Sequence, residues 1–308
     1  MKGDEMIQKS ILENVGHTPL VKISNENDKI ALYAKIEGFN PTGSIKDRAA
    51  QYVLSKILKE KIINQNTMII ESSSGNYGIA LAAYTQLYGL SFTCVIDPNI
   101  LPTNEVILKY MNANIIKVQE PDENNGYLLS RIAKVKEILH TQKNVYWIDQ
   151  YNNPYNAEAY ENTIGDELCS EFDRIDLAFI AVSSGGTITG ISWKLKKQYP
   201  DIKIIAIDIE GSVIFGQKPQ RRNIPGIGSS MRPTILKRAL IDDVVIVSEE
   251  SAKEACRFLL SHKNLFVGGS SGAVYAGAKH YLSKGSHQEK TAIMIFPDSG
   301  NRYINTVF

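Results

Sequence analysis

The chain has 308 residues, 43% of them hydrophobic and 22% charged, with 34 Lys and Arg against 33 Asp and Glu. That balance gives no electrostatic basis for nucleic acid or an anionic membrane surface as partner, so any anionic ligand has to be gripped locally. The three cysteines, Cys94, Cys169 and Cys256, lie far apart without metal-ligand or disulfide spacing, which fits a reducing cytosol and predicts no metal site. Cys94, inside an apolar run, reads as a buried inert thiol. The start, MKGDEMIQKS, lacks the cationic-then-apolar pattern of a secretion signal, and no apolar run approaches the ~20 residues of a membrane span. A soluble, cytoplasmic protein is the expectation.

In chain order, short β-branched runs read as strands at 30–37, 68–73, 91–97, 114–119, 145–150, 177–183, 203–210, 244–248, 265–268 and 291–297. Between most of them the apolar positions recur with helical spacing. Ala50, Val53, Leu54, Ile57 and Leu58 form one face, and similar faces run through 79–87, 127–139, 157–172, 188–199 and 252–260. Alternating strands and helices, with several strands apolar throughout, predict an α/β fold of largely parallel sheets flanked by helices. The stretch 211–233, rich in Gly, Pro and Arg, predicts a long functional loop. No linker separates lobes, so two lobes would interleave along the sequence.

Four loops carry candidate chemistry. Asn40-Pro41-Thr42-Gly43-Ser44-Ile45-Lys46-Asp47-Arg48 reads as a helix start, with Ser44 as cap and Asp47 completing a box-like pair. That account leaves Lys46 unexplained: a cation in a first helical turn opposes the helix dipole. The same field, with burial, lowers an ammonium pKa, as an amine nucleophile requires. Glu71-Ser72-Ser73-Ser74-Gly75-Asn76-Tyr77-Gly78 places hydroxyls and free N–H groups at a helix start, either a plain turn or a seat for a carboxylate or phosphate. Ser183-Ser184-Gly185-Gly186-Thr187 offers the same for a phosphate, and is neither a Walker A loop nor a dinucleotide fingerprint. Pro297-Asp298-Ser299-Gly300-Asn301-Arg302-Tyr303 closes the last strand and alone reads as a turn.

In this order the four loops resemble the fold type II pyridoxal-phosphate enzymes, within them the cysteine synthase and cystathionine β-synthase group. The likeness runs from Gly16-His17-Thr18-Pro19-Leu20 to Arg302-Tyr303. It implies a two-lobed, tryptophan synthase β-like fold, with residues 43–151 as a small mobile substrate lobe and 1–42 with 152–308 as the large cofactor-binding lobe. It also implies a homodimer that takes small amino-acid substrates. Lys46 would hold pyridoxal 5'-phosphate as a Schiff base and act as the catalytic base. Asn76 would meet the ring oxygen, Ser184, Gly185, Gly186 and Thr187 the phosphate, and Ser299 the pyridine nitrogen. Ser73, Ser74, Gly75, Tyr77 and Gln150 would surround the substrate α-carboxylate. A neutral Ser299 partner leaves the pyridine unprotonated, which suits β-elimination followed by addition of a second substrate.

Two departures touch the substrates. Ser183-Ser184 stands where cysteine synthases usually open Gly-Thr, and Tyr77 where they usually have Thr. A closer resemblance is to the N-(2-amino-2-carboxyethyl)-L-glutamate synthases of 2,3-diaminopropionate biosynthesis, which supplies siderophores and peptide antibiotics. It rests on Asp97-Pro98 with Pro102-Thr103-Asn104, Glu120-Pro121-Asp122 with Gly126-Tyr127-Leu128, Arg131-Ile132-Ala133-Lys134-Val135, and Gly211-Ser212-Val213-Ile214-Phe215-Gly216 continuing to Pro225-Gly226-Ile227-Gly228. Those enzymes take O-phospho-L-serine and L-glutamate. The resemblance makes Arg131 the cation for the departing phosphate, against a solvated helix face on periodicity alone. Lys218, Arg221, Arg222 and Arg232 could serve glutamate's carboxylates or merely solubility. The competing readings are a cysteine synthase using sulfide with O-acetyl- or O-phospho-L-serine, a dehydratase or desulfhydrase, and a catalytically silent binding protein.

Overall fold

The computed structural model describes residues 8–25, 28–122, 126–284 and 290–308. Residues 1–7, on which the reading of the chain's start partly rests, lie outside them. A six-stranded sheet runs β1 (Leu20–Lys22), β2 (Ile30–Ile36), β10 (Lys290–Phe296), β7 (Leu177–Ala181), β8 (Lys203–Ile209), β9 (Asp243–Val247). All its pairings are parallel except that of β1 with β2. A second, all-parallel sheet runs β5 (Asn114–Lys117), β4 (Ser91–Ile96), β3 (Met68–Ser72), β6 (Val145–Trp147). The α/β expectation with two largely parallel sheets holds. The central strands are buried on both faces, which is why their sequences run apolar without alternation.

The helices are α1 (Lys46–Lys59), α2 (Asn76–Leu87), α3 (Pro102–Tyr110), α4 (Leu128–Thr141), α5 (Pro154–Glu161), α6 (Ile164–Glu171), α7 (Gly186–Gln198), α8 (Glu249–Lys263) and α9 (Gly269–Ser283). Two expectations need correction, and further elements were not anticipated. The single helix read over 157–172 is two, broken at Asn162-Thr163. The strand read at 265–268 is a connector that makes one isolated bridge, Val267 to Ser299 in the loop after β10, and α9 begins directly after it. β1 and α3 carry too little periodicity to be read in advance. The loop over 211–233 holds no strand or helix, as expected. Cys94 is fully buried and its thiol is pushed up to about 12 by desolvation. Among the described residues no helix is long and apolar enough to cross a membrane.

The start of α1 is fixed by a buried ionic network. Arg48 binds Glu37 through Nε and Nη2 (2.6 and 2.8 Å) and Glu167 through Nη1 and Nη2 (2.5 and 2.9 Å). Lys35 adds its ammonium to Glu167 at 2.8 Å and to the Thr18 carbonyl at 2.7 Å. Two cations thus meet two carboxylates, with Arg48 1% exposed and Glu37 fully buried. Gly16, at φ +88°, turns the chain around this network; a Cβ there would lie 2.8 Å from Glu167 Oε1. Truncating one partner strands an uncompensated buried charge. Arg48→Leu is therefore expected to lower the unfolding free energy by about 3–5 kcal/mol. Urea titration checks this, and a loss below 1 kcal/mol would show the network to be peripheral.

Candidate active site

The chemistry-bearing loops all follow strands at their carboxyl ends, where open parallel sheets present ligand sites. The loop after β10 is the hub. Ser44 bridges to Asp298, and the Ile45 N–H donates to the Pro297 carbonyl at 2.8 Å, laying the Lys46 turn along the end of β10. From the other sheet, the Asn76 amide donates to Asp298 at 2.7 Å and reaches the Tyr303 hydroxyl at 3.4 Å. Arg302 donates to the Asn76 amide oxygen and to the Thr42 carbonyl. Tyr303 donates to Asp298. Lys46, Asn76 and Ser299 thus come together from opposite ends of the sequence.

Lys46 opens α1 between two anchored neighbours: Asp47 accepts from the Thr42 N–H at 2.6 Å and from its hydroxyl, and Arg48 sits in the ionic network. The Lys46 ammonium itself makes no ion pair or hydrogen bond among the described residues and lies over the Tyr160 ring, 5.9 Å from its centroid. Desolvation lowers its pKa to about 8, against the opposing field of Asp298. An amine so placed is a usable nucleophile and base near neutral pH.

Ser183-Ser184-Gly185-Gly186-Thr187 starts α7. Gly185 takes the left-handed conformation (φ +87°), and a Cβ on Gly186 would lie 2.6 Å from the Asn156 side chain. Ser184 and Thr187 are buried. Tyr160, on α5, joins this loop to the lysine: its ring underlies Lys46, and its buried hydroxyl faces Thr187 without completing a hydrogen bond. Sequence reasoning missed Tyr160, because nothing local marks it. Ser299 accepts from the Asn301 N–H at 3.2 Å, which leaves its hydroxyl proton free to donate.

In the loop over 71–78, Ser73 accepts from the Gly78 N–H at 3.0 Å in the first turn of α2. A Cβ on Gly75 would meet nothing within 4 Å, so the loop opens onto space there. Gln150 ties β6 to β3 through the Ser72 carbonyl at 3.2 Å. Glu71, fully buried behind the loop, accepts from the Ser72 N–H at 2.8 Å, and desolvation raises its carboxyl to about 8. Two placements differ from expectation. Tyr77 is 3% exposed and packs into the hydrophobic core with its hydroxyl unpartnered, so it backs the loop rather than lining it. The Ser74 hydroxyl gives its only proton to Asp97 at 2.8 Å, and so is not a free donor for a carboxylate.

Arg131 does not lie on a solvated face. It reaches back from α4 to donate from Nη1 to Ser74 Oγ at 2.8 Å, with Nε 3.2 Å from Asp97 Oδ2. The Nε contact is poorly aligned and completes no hydrogen bond, so among the described residues one N–H group of the five is engaged. Of the loop cations, Lys218, Arg221 and Arg232 are exposed. Arg222 is instead a brace, donating to the Ser229 carbonyl at 2.8 Å and to Ser230 Oγ at 3.1 Å.

An unpartnered lysine amine of lowered pKa, a glycine-opened helix start beside a buried orphan hydroxyl, and an open carboxylate loop define an enzyme built around a covalently held, phosphorylated cofactor. The chain belongs to the family described as Pyridoxal-phosphate dependent enzyme, which matches residues 11–298. Solved structures agree. The O-acetylserine-dependent cystathionine β-synthase from Helicobacter pylori is 30% identical, with TM-score 0.92 over 98% of this chain and 99% of that one. A hydrogen sulfide-producing enzyme from Fusobacterium nucleatum is 26% identical, with TM-score 0.89 over 97% and 100%. O-acetyl serine sulfhydrylase isoform 3 from Entamoeba histolytica is 27% identical, with TM-score 0.90 over 99% and 92%. The cofactor is pyridoxal phosphate, and the residues present fit it.

In the cofactor-free protein, Lys46 should be modified by an amine reagent with a pH midpoint of about 8. Asp298→Asn removes the carboxylate that favours the ammonium and should move that midpoint lower. Peptide mapping by mass spectrometry across a pH series reads both, and a midpoint near 10.5, the ordinary lysine value, would refute the assignment.

Proposed function

We propose that the enzyme catalyses β-replacement on O-phospho-L-serine with L-glutamate, giving N-(2-amino-2-carboxyethyl)-L-glutamate and phosphate. The observation that carries this reading is Arg131, a part-buried guanidinium brought to the carboxylate loop with most of its donors unspent. Membership of a family whose similar structures include O-acetylserine-dependent enzymes supports β-replacement in general.

When bound, pyridoxal phosphate supplies the electron sink that makes an amino acid's α-proton removable. The chain supplies the rest. Lys46 holds the cofactor and then, as a free amine, takes the α-proton. Residues 184–187 and the N-terminus of α7 hold the cofactor phosphate, with Tyr160 adding a donor; Asn76 and Ser299 address its ring. Ser73, Gly75, Gln150 and the N–H groups at the start of α2 seat the substrate carboxylate. Arg131 draws the departing phosphate off the β-carbon. The incoming amine must arrive unprotonated, and Lys218, Arg221 and Arg232 steer its two carboxylates. The segment 43–151, which contains the whole four-stranded sheet, is the lobe proposed to close on substrate. The resemblance supports a cytoplasmic homodimer.

One observation favours a cysteine synthase acting on O-acetyl-L-serine. Asp97 lies 3.2 Å from Arg131 and offsets its charge, which suits a leaving group less anionic than phosphate. Offering O-phospho-L-serine or O-acetyl-L-serine with either L-glutamate or sulfide, and identifying products by mass spectrometry, decides between them. The glutamate adduct from O-phospho-L-serine is expected; phosphate release without the adduct, or cysteine as the main product, would sink the proposal.

A further inference from the structure

Asp97 follows β4 and is 5% exposed. Its Oδ1 accepts from the Asn99 N–H at 2.8 Å and its Oδ2 from the Ser74 hydroxyl at 2.8 Å. Those two bonds satisfy the carboxylate without Arg131. Arg131, in turn, is held by Nη1 to Ser74 Oγ, and its Nε points past Asp97 rather than at it. The acid therefore contributes charge to Arg131 more than a directional bond. Ser74 joins the two, accepting from one and donating to the other, so the three side chains form a preassembled unit at the edge of the carboxylate loop. A negative charge in that place has a cost: it repels the very group Arg131 would receive, and does so most for a dianion.

We propose that Asp97 is a specificity-determining residue, an anionic counterweight that weakens the Arg131 site's hold on phosphate and sets its preference between dianionic and uncharged leaving groups. This rests on the reading of Arg131 as the leaving-group cation. The function follows from turnover: an unopposed, part-buried arginine would retain the phosphate that each cycle produces, and Asp97 keeps that product exchangeable. Tight ground-state binding of a leaving group adds nothing to the rate of its departure.

The test compares the cofactor-loaded wild type with Asp97→Asn, which keeps an acceptor for the Asn99 N–H, and with Asp97→Glu, which keeps the charge. Inorganic phosphate as a competitive inhibitor is the binding probe, with acetate as the control anion. In Asp97→Asn the phosphate inhibition constant should fall at least about tenfold, the order expected for losing one charge about 6 Å from a dianion even at a dielectric near that of water. Acetate inhibition should tighten less, and the ratio of kcat/KM for O-phospho-L-serine over O-acetyl-L-serine should rise by a similar factor. Asp97→Glu should keep the wild-type ratio. Equal losses on both substrates in the two variants would overturn the proposal, leaving Asp97 as a prop for Arg131; so would an unchanged phosphate constant in Asp97→Asn. Asp97→Ser is read in the same way if Asp97→Asn does not fold. A wild type inactive on O-phospho-L-serine refutes the leaving-group reading, and the phosphate constants still decide the role of Asp97.

Discussion

Everything at the site depends on how the first turn of α1 is anchored. Lys46 has to be aimed without being bound, because an ammonium spent on a salt bridge would be neither nucleophile nor base. Its immediate neighbours carry the anchoring instead. Asp47 is buried and tied to Thr42, while Arg48 is clamped between Glu37 and Glu167. A buried ionic network of this kind adds little net stability over an apolar core of the same shape, since desolvation offsets the attraction. Its return is geometric. Each donor accepts a narrow range of angles, so β2, α1 and α6 can meet in one register only, and that register points the Lys46 side chain toward the loops of both sheets.

The second constraint is the hub after β10. Asp298 and Arg302 hold Asn76 from both ends of its amide, across 222 and 226 residues of sequence, while Ser44 and Ile45 lie along the same backbone. The Lys46 turn of one sheet and the Asn76 loop of the other are therefore coordinated through Pro297, Asp298 and Arg302 of one loop. Gly268 shows how close the packing is: a Cβ there would come within 2.1 Å of Asp298 Oδ1. Burial raises the Asp298 carboxyl above its ordinary range, and Tyr303, Asn76 and Ser270 are the donors that keep it satisfied.

How far this was legible in the sequence follows from the range of each interaction. Lys46 declares itself locally, as a cation in a first helical turn; the serine-glycine loops and Ser299 pass for turns one by one and become legible only through the order of the four loops and the family it resembles. The parallel sheets are legible locally, as apolar runs of strand length. Tyr160, Asp97 and Asp298 are not: each matters only through a partner far along the chain, and none breaks a local rule. α9 escaped because Gly, Ser and Ala let it bury on nearly every side, which removes the amphipathic stripe; Gly272 fits against the Ala252 carbonyl, where a Cβ would lie at 2.2 Å. Tyr77 misled for a related reason. A large residue beside a ligand loop suggests a lining, but the α2 backbone turns its side chain into the core.

The electrostatic layout joins these pieces. Three cations of the site are set near a carboxylate: Lys46 feels Asp298, Arg302 feels the same acid, and Arg131 lies beside Asp97. None of these acids completes a hydrogen bond with its cation among the described residues; Arg302 is held by an amide oxygen and a carbonyl and Arg131 by a hydroxyl, while the Lys46 ammonium is left without such a bond. The arrangement separates orientation from charge. Directional bonds to neutral groups fix where the two arginines point, and the nearby carboxylates set how strongly they attract. An enzyme that must bind one anion for its lifetime and release another at every turnover needs those two properties adjusted independently. On the proposed reading, the cofactor phosphate would take the glycine-lined start of α7, whereas the departing phosphate would meet an arginine with Asp97 at its side.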